Sequence, residues 1–244
     1  ERWFHTPGFE YPHEGSVRQP AKAAVTQLKQ LGQEDSDQTL WLWGSPQTEP
    51  PKHRQDSSHL DGRERGNLYH LLLQFIRPEQ LEGPDGLRDL VQNLIDEGTL
   101  PAQAWEALDL GALQAFFEGE VGQHLIKHAS RVQRELPFTA KFTLEELSSW
   151  QLCPEIQAGV MGDWIIVQGI VDVAVIQKNS IQILDYKTDQ VTGHALEKRL
   201  EGYTQQLKLY GRALERIYQR PVNRLWIHLL HSNKTHQLAS SAAI

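Results

Sequence analysis

The chain has 244 residues, 39% hydrophobic and 23% charged, with a formal net charge of -7. That length can bury a real core in one large domain or two small ones. No apolar run approaches the roughly 20 residues of a membrane-spanning helix, no basic-then-apolar signal segment opens the chain, and the single cysteine, Cys153, excludes an internal disulfide, a multi-cysteine zinc site or an iron–sulfur cluster.

A reducing, cytoplasmic setting is the simplest reading. The acidic balance argues against a protein held to nucleic acid by bulk charge. The charge is uneven, however. From Lys187 to Arg224 there are eight Lys/Arg and four Asp/Glu, a local +4, so the rest of the chain sums to -11. The first residue is Glu1 rather than Met, and the chain is expected to be a piece of a longer one.

Residues 1–20 are irregular, punctuated by Pro7, Pro12 and Pro20. Ala21 to Leu31 reads as a helix, with Val25 and Leu28 at helical spacing. Residues 32–62 are polar around an apolar island from Leu40 to Trp43, and Pro46, Pro50 and Pro51 mark a linker or insertion. Two regions are therefore expected: an entry segment and linker with one helix over 1–62, and the main domain over 63–244.

Glu64 to Ile76 is an amphipathic helix with Leu68, Leu71, Leu72, Phe75 and Ile76 as its stripe. Leu87 to Ile95 and Pro101 to Leu108 follow as helices, with Pro101 at a first helical position. Leu110 to Ala129 makes one or two more.

The period then changes. Val132 to Phe142 is a candidate strand, and Trp164 to Ile176 and Ile181 to Lys187 are Ile/Val-rich strands joined by a turn at Lys178-Asn179-Ser180. Leu196 to Tyr218 is a long helix, and Val222 to Leu230 a last strand. The fold class is α/β, a mixed central sheet flanked by helices after an N-terminal helical portion.

The chemistry sits on two strands, in Gly169-Ile170-Val171-Asp172 and Asp185-Tyr186-Lys187. Residues two apart on a strand share a face, so Asp185 and Lys187 point one way and Tyr186 the other. If the strands pair through the short turn, Asp172 lies near Asp185. Two adjacent carboxylates repel unless a cation sits between them. Hard oxygen ligands favour Mg²⁺ or Mn²⁺, and a neighbouring lysine stabilises charge developing on a phosphate. That is equipment for metal-dependent phosphodiester hydrolysis.

These motifs are joined by Asp185-Tyr186-Lys187-Thr188-Asp189, Tyr203-x-x-Gln206-x-x-x-Tyr210, Gly66-x-x-x-His70 and Arg134-Glu135-x-Pro137-Phe138. In this order they resemble the RecB-type nucleases of the PD-(D/E)XK superfamily. Pro20 to Lys29 is similar to the segment entering the nuclease domain of AddA-type helicase–nucleases, with Ala24 where that segment usually has Ser.

The resemblance implies a restriction-endonuclease-like fold and a Mg²⁺-dependent DNA exonuclease in double-strand break repair and recombination. It implies His70, Asp172, Asp185 and the main-chain carbonyl of Tyr186 as metal ligands, and Lys187 as the catalytic lysine. Glu135 would support the site. Gln206, Tyr210 and Tyr203 would contact DNA or brace the site from the long helix, where Lys198, Arg199, Lys208, Arg212 and Arg216 offer phosphate contacts. The implied partners are DNA, a helicase motor upstream in the same chain and an AddB-like subunit. The cluster of four cysteines found in the AddB branch is impossible here. No Gly-x-x-x-x-Gly-Lys-Ser/Thr phosphate loop occurs, so no ATP site is expected in this segment.

Taken singly, most of these residues have plainer readings. Asp172 suits a surface turn, Asp185 and Lys187 a surface ion pair, His70 a structural histidine, and Tyr203 and Tyr210 the core. Together they favour a site. His124 and His128, four apart but lacking the Glu of His-Glu-x-x-His, read as surface residues without metal. Trp41 and Trp43 read as surface packing, and Cys153 as an inert thiol. Two further possibilities stand beside the helicase–nuclease reading: a non-catalytic DNA-binding or docking module, and a free-standing RecB-type nuclease.

Overall fold

The computed structural model describes residues 22–24, 60–81, 85–152, 164–190 and 192–238. The irregular segment 1–20, the linker up to residue 59, Trp41, Trp43 and Cys153 lie outside them.

The described elements run in the order β1 (Lys22–Ala24), α1 (Gly62–Phe75), a 3₁₀ turn (Pro78–Leu81), α2 (Gly86–Asp96), α3 (Ala104–Ala107), α4 (Leu110–Glu118) and α5 (Glu120–Lys127). A second 3₁₀ turn (Ala129–Arg131) leads to β2 (Val132–Thr143), α6 (Leu144–Ser149), β3 (Trp164–Ile176), β4 (Ile181–Lys187), α7 (Gly193–Tyr218), β5 (Val222–Leu229) and β6 (Lys234–Leu238). The strands form one mixed sheet in the order β1-β3-β4-β5-β6, with β2 also pairing β3. This is the expected α/β class.

The described residues fall into two compact units, one holding 22–24, 139–152 and 164–168, the other 60–81, 85–138, 169–190 and 192–238. In the first, β1 runs parallel to the start of β3, Lys22 opposite Ile166 and Ala24 opposite Gln168. This corrects the helix expected at Ala21 to Leu31 at its first residues. Lys-Ala-Ala has good helix propensity, but propensity is a weak prior and pairing with a distant strand overrides it. Helix α6 was not anticipated. It begins at a capping box, in which Thr143 Oγ1 accepts from the Glu146 amide and Glu146 accepts from the Thr143 amide.

In the second unit, β3 and β4 form an antiparallel hairpin, with Val173 opposite Leu184 and Ile176 opposite Ile181. β4 then pairs parallel with β5, Asp185 opposite Ile227 and Lys187 opposite Leu229. The polar strand β6 closes the edge against β5, so Val222–Leu229 is not the last strand.

One face of this sheet packs under the helices. Leu184, Tyr186 and Trp226 join Leu68, Leu72, Val91, Leu113 and Phe116 in a single apolar core. Helix α7 packs against β4 and β5.

Helix α1 starts two residues before the expected Glu64 because Asp61 caps it. Asp61 Oδ1 accepts from the Glu64 amide at 2.7 Å while Glu64 accepts from the Asp61 amide at 2.9 Å. Its stripe is Leu68, Tyr69, Leu72 and Leu73, and Phe75, expected inside, is exposed at the helix end. Pro101 does not open a helix. Its carbonyl accepts from the Ala104 amide in a turn preceding the short α3.

Candidate functional site

The hairpin and α1 bring the site together. Asp172 lies one residue beyond the Val173–Leu184 pair, at the level of Asp185. Its Oδ2 accepts a hydrogen bond from the Tyr186 amide at 2.7 Å, fixing the carboxylate across the two strands. Lys187 Nζ lies 2.6 Å from Asp185 Oδ2, as expected for residues two apart on one face. This contact is an ion pair without hydrogen-bond alignment, so the buried Oδ2 keeps a lone pair free. The Tyr186 ring points the other way, edge-on to Phe116 at 5.7 Å in the apolar core.

His70, projecting from α1, places Nδ1 3.6 Å from Asp172 Oδ1 and 3.8 Å from Glu135 Oε1. The helix can approach because Gly66, one turn earlier, has no side chain. A Cβ there would stand 3.0 Å from Thr188 Oγ1. Glu135 breaks the regularity of β2 with φ +48°, in the left-handed region that L-residues avoid by about 1–2 kcal/mol. Such outliers persist where the surroundings over-determine them, often at functional sites.

One ligand atom from each of His70, Glu135 and Asp172 lies within 4.8 Å of the others. An imidazole and two carboxylates at this spacing suit Mg²⁺ or Mn²⁺. The electrostatics also fit a cation. Burial, then the neighbouring Asp185 charge, push Asp172 up to about 7. Burial works against a charged His70, but Asp172 and Glu135 outweigh it and carry the imidazole up to about 9. Burial likewise opposes the Lys187 charge, yet Asp185 and Asp172 hold that ammonium above the ordinary lysine value.

Residues 46–242 match the family model of the PD-(D/E)XK nuclease superfamily. The chain belongs to the PD-(D/E)XK nuclease superfamily. It is 31% identical over 229 residues to the ATP-dependent helicase/nuclease AddA of Desulforamulus reducens, covering 93% of this chain and 18% of that protein. The proteins of the same name from Carboxydothermus hydrogenoformans (29% over 229 residues, 93% and 18% covered) and Bacillus cytotoxicus (27% over 239 residues, 92% and 18%) are similar along the same stretch. The chain thus spans about a fifth of the length of the curated relatives it matches.

Most of the residues singled out by the PD-(D/E)XK motifs gather at one place: His70, Glu135, Asp172, Asp185 and Lys187. The metal-sized cluster holds Glu135, with Asp185 beside it on Lys187. Tyr210 is buried, edge-on to Phe138 at 5.3 Å, and its hydroxyl accepts from Gln206 Nε2 at 2.8 Å. Both rings lie over Gly169, the Gly of Gly-x-x-Asp. Tyr203 is also buried, its ring 4.9 Å from Lys187 Nζ.

Asp189, which ends the Asp-Tyr-Lys-Thr-Asp run, has no role assigned by the motifs. It accepts from the Tyr203 hydroxyl and pairs with Arg199 Nη1 at 3.1 Å, tying α7 to the end of β4. The repeated Asp was the only sequence sign of it. Arg199 is therefore engaged, as is Arg212, which pairs with Glu215 at 3.3 Å.

His124 and His128, expected at the surface, are half-buried. His124 bonds Gln182 and packs edge-on to Trp226 at 5.7 Å, while His128 bonds the His124 carbonyl at 2.9 Å. His228, which no motif contains, is buried beside Phe116, and burial drives its pKa down to about 4.

Proposed function

We propose that this chain is a Mg²⁺-dependent DNA exonuclease, the nuclease part of an AddA-like helicase–nuclease acting in double-strand break repair. The observation that carries the reading is the convergence of Asp172, Asp185, Lys187, His70 and Glu135 at the mouth of one hairpin. The names of the similar proteins, which pair helicase with nuclease, support the setting. By that likeness the motor lies elsewhere in the same polypeptide, the location is cytoplasmic and the partner is an AddB-like subunit. No helix among the described residues is long and apolar enough to cross a membrane.

His70, Glu135 and Asp172, with Asp185 beside them, would hold the metal, and the Tyr186 carbonyl is the further ligand that the motif suggests. When bound, the ion supplies Lewis-acid polarisation of a phosphate and a water of lowered pKa. The chain's own residues do the rest. Asp172 is held by the Tyr186 amide, so its carboxylate is pre-oriented. Lys187 stays an ammonium because Asp185 and Asp172 face it. It therefore acts by positioning water and stabilising charge on the phosphate, and not as a general base. The Tyr203 ring and the Asp185 carboxylate confine that ammonium from two sides. Gln206 and Tyr210 brace the site from α7.

The test is loss of end-labelled single-stranded DNA with Mg²⁺, compared with EDTA and with Asp185→Ala and Lys187→Ala. Metal-dependent degradation that both substitutions abolish, with melting curves still cooperative, is expected. Near wild-type cutting by both folded variants would overturn the assignment.

A further inference from the structure

Beside the site lies a cavity of about 230 Å³ that the nuclease chemistry above does not use. Its floor is the ends of two parallel strands. Thr188 directly follows Lys187, and Leu230, just past β5, donates its amide to the Lys187 carbonyl at 2.8 Å. Open α/β sheets take ligands at the carboxyl ends of parallel strands. Its wall is α1, the helix that carries His70, through Arg65 and Tyr69.

Arg65 stands out. Its Nε is buried without a hydrogen-bond partner, and among the described residues Arg65 joins no ion pair. A buried donor left unmade is unfavourable and marks a place where something else bonds. A guanidinium is a planar fork matched to phosphate oxygens. Thr188, Gln190 and His231 add hydrogen-bonding groups around the same space. Two acids also line it. Asp109 is engaged as the cap of α4, its Oδ1 accepting from the Ala112 amide at 2.9 Å, and Glu106 is exposed to water.

Arg65 precedes His70 by five positions, about 7.5 Å along the helix axis at 1.5 Å per residue. That is the scale of one nucleotide step along a DNA strand. We propose that this cavity binds the backbone phosphate neighbouring the scissile one on the same strand, with Arg65 as its principal contact and Thr188 as a second. The proposal rests on the nuclease reading and adds to it a subsite that sets the strand's register over Lys187.

The experiment measures anisotropy of a labelled single-stranded oligonucleotide on the full chain carrying Asp185→Ala, which keeps the DNA intact, with and without Arg65→Gln, across a salt series. Cleavage by the parent chain is followed in parallel. Arg65→Gln is expected to weaken binding roughly tenfold and to reduce the salt slope by about 0.7, the value for one phosphate contact on a single strand.

A neutral methylphosphonate walked along the strand should find one linkage, next to the scissile one, where Arg65 is lost as a contact. There the neutral linkage weakens the Arg65 protein roughly tenfold and leaves the Arg65→Gln protein unchanged. Thr188→Val, nearly isosteric and away from α1, should show about a threefold loss at the same linkage. It serves as the test should Arg65→Gln fail to fold. Unchanged affinity, slope and linkage profile in the folded variants, while the parent cuts DNA, would overturn the subsite and leave the nuclease reading standing. A folded parent that neither binds nor cuts DNA would overturn both.

Discussion

Replacing Gly169 by alanine tests how the strand bearing Asp172 is seated. An added Cβ would stand 2.7 Å from Phe138 Cε1, 2.8 Å from Phe138 Cζ and 3.0 Å from Tyr210 Cε1. Both rings are buried and locked edge-to-face at 74°, and the Tyr210 hydroxyl is bonded to Gln206. Neither ring can swing away without displacing the other. Overpacking of this kind costs about 1–3 kcal/mol. Against it, alanine restricts the unfolded chain and recovers about 0.4–1 kcal/mol. The net expectation is a loss of about 1–2 kcal/mol, read as a lower urea midpoint at unchanged m-value. DNA cutting should fall too, because Tyr210 and Gln206 move with the clash. Phe138→Leu in the same chain should restore part of the stability by vacating the ring's space. A Gly169→Ala protein as stable and as active as the parent would refute the packing argument. So would a double variant no better than the single one.

Three further outcomes follow from other contacts. His228, with its pKa lowered to about 4 by burial, stays neutral in the folded state while the unfolded chain takes up its proton near pH 6.5. Stability should therefore fall as pH drops from about 6.5 to 4, by up to about 3 kcal/mol. Urea titrations of His228→Leu should show a shallower slope across that window. Tyr203→Leu removes the ring 4.9 Å from Lys187 Nζ and should lower kcat by roughly threefold to thirtyfold, whereas Tyr203→Phe should retain most of it. Calorimetric titration with Mn²⁺ should give a single site whose affinity drops in His70→Ala by more than the roughly tenfold typical of losing a group that only hydrogen-bonds to a ligand. Unchanged affinity would remove His70 from the ligand set.

The site was legible in the sequence where local pattern and chemistry coincided. The Ile/Val runs placed β3 at Trp164–Ile176 and β4 at Ile181–Lys187, with the turn between them, and alternation alone put Asp185 with Lys187 and turned Tyr186 away. Elements held by distant partners were not legible. Lys22–Ala24 is a strand only because β3 is there to pair with it. Lys234–Leu238 is polar and half-exposed, without the alternation that marks a half-buried strand. Helix α6 was too short for a periodicity argument, although Thr143-x-x-Glu146 was a readable cap. The link from Asp189 to Tyr203 and Arg199 joins a loop to a helix face across 14 and ten positions, which no short motif encodes. The Arg65 cavity needs three separated stretches of chain to meet.

The left-handed backbone at Glu135 sets stability and function against each other. Glycine adopts φ +48° without penalty, so a stability screen would accept Glu135→Gly as relief of strain, and asparagine as the next best choice. Either replacement would remove the carboxylate 3.8 Å from His70. Thermostable variants chosen by melting temperature alone would therefore tend to be disarmed at this position, and screening for them has to score DNA cutting alongside stability.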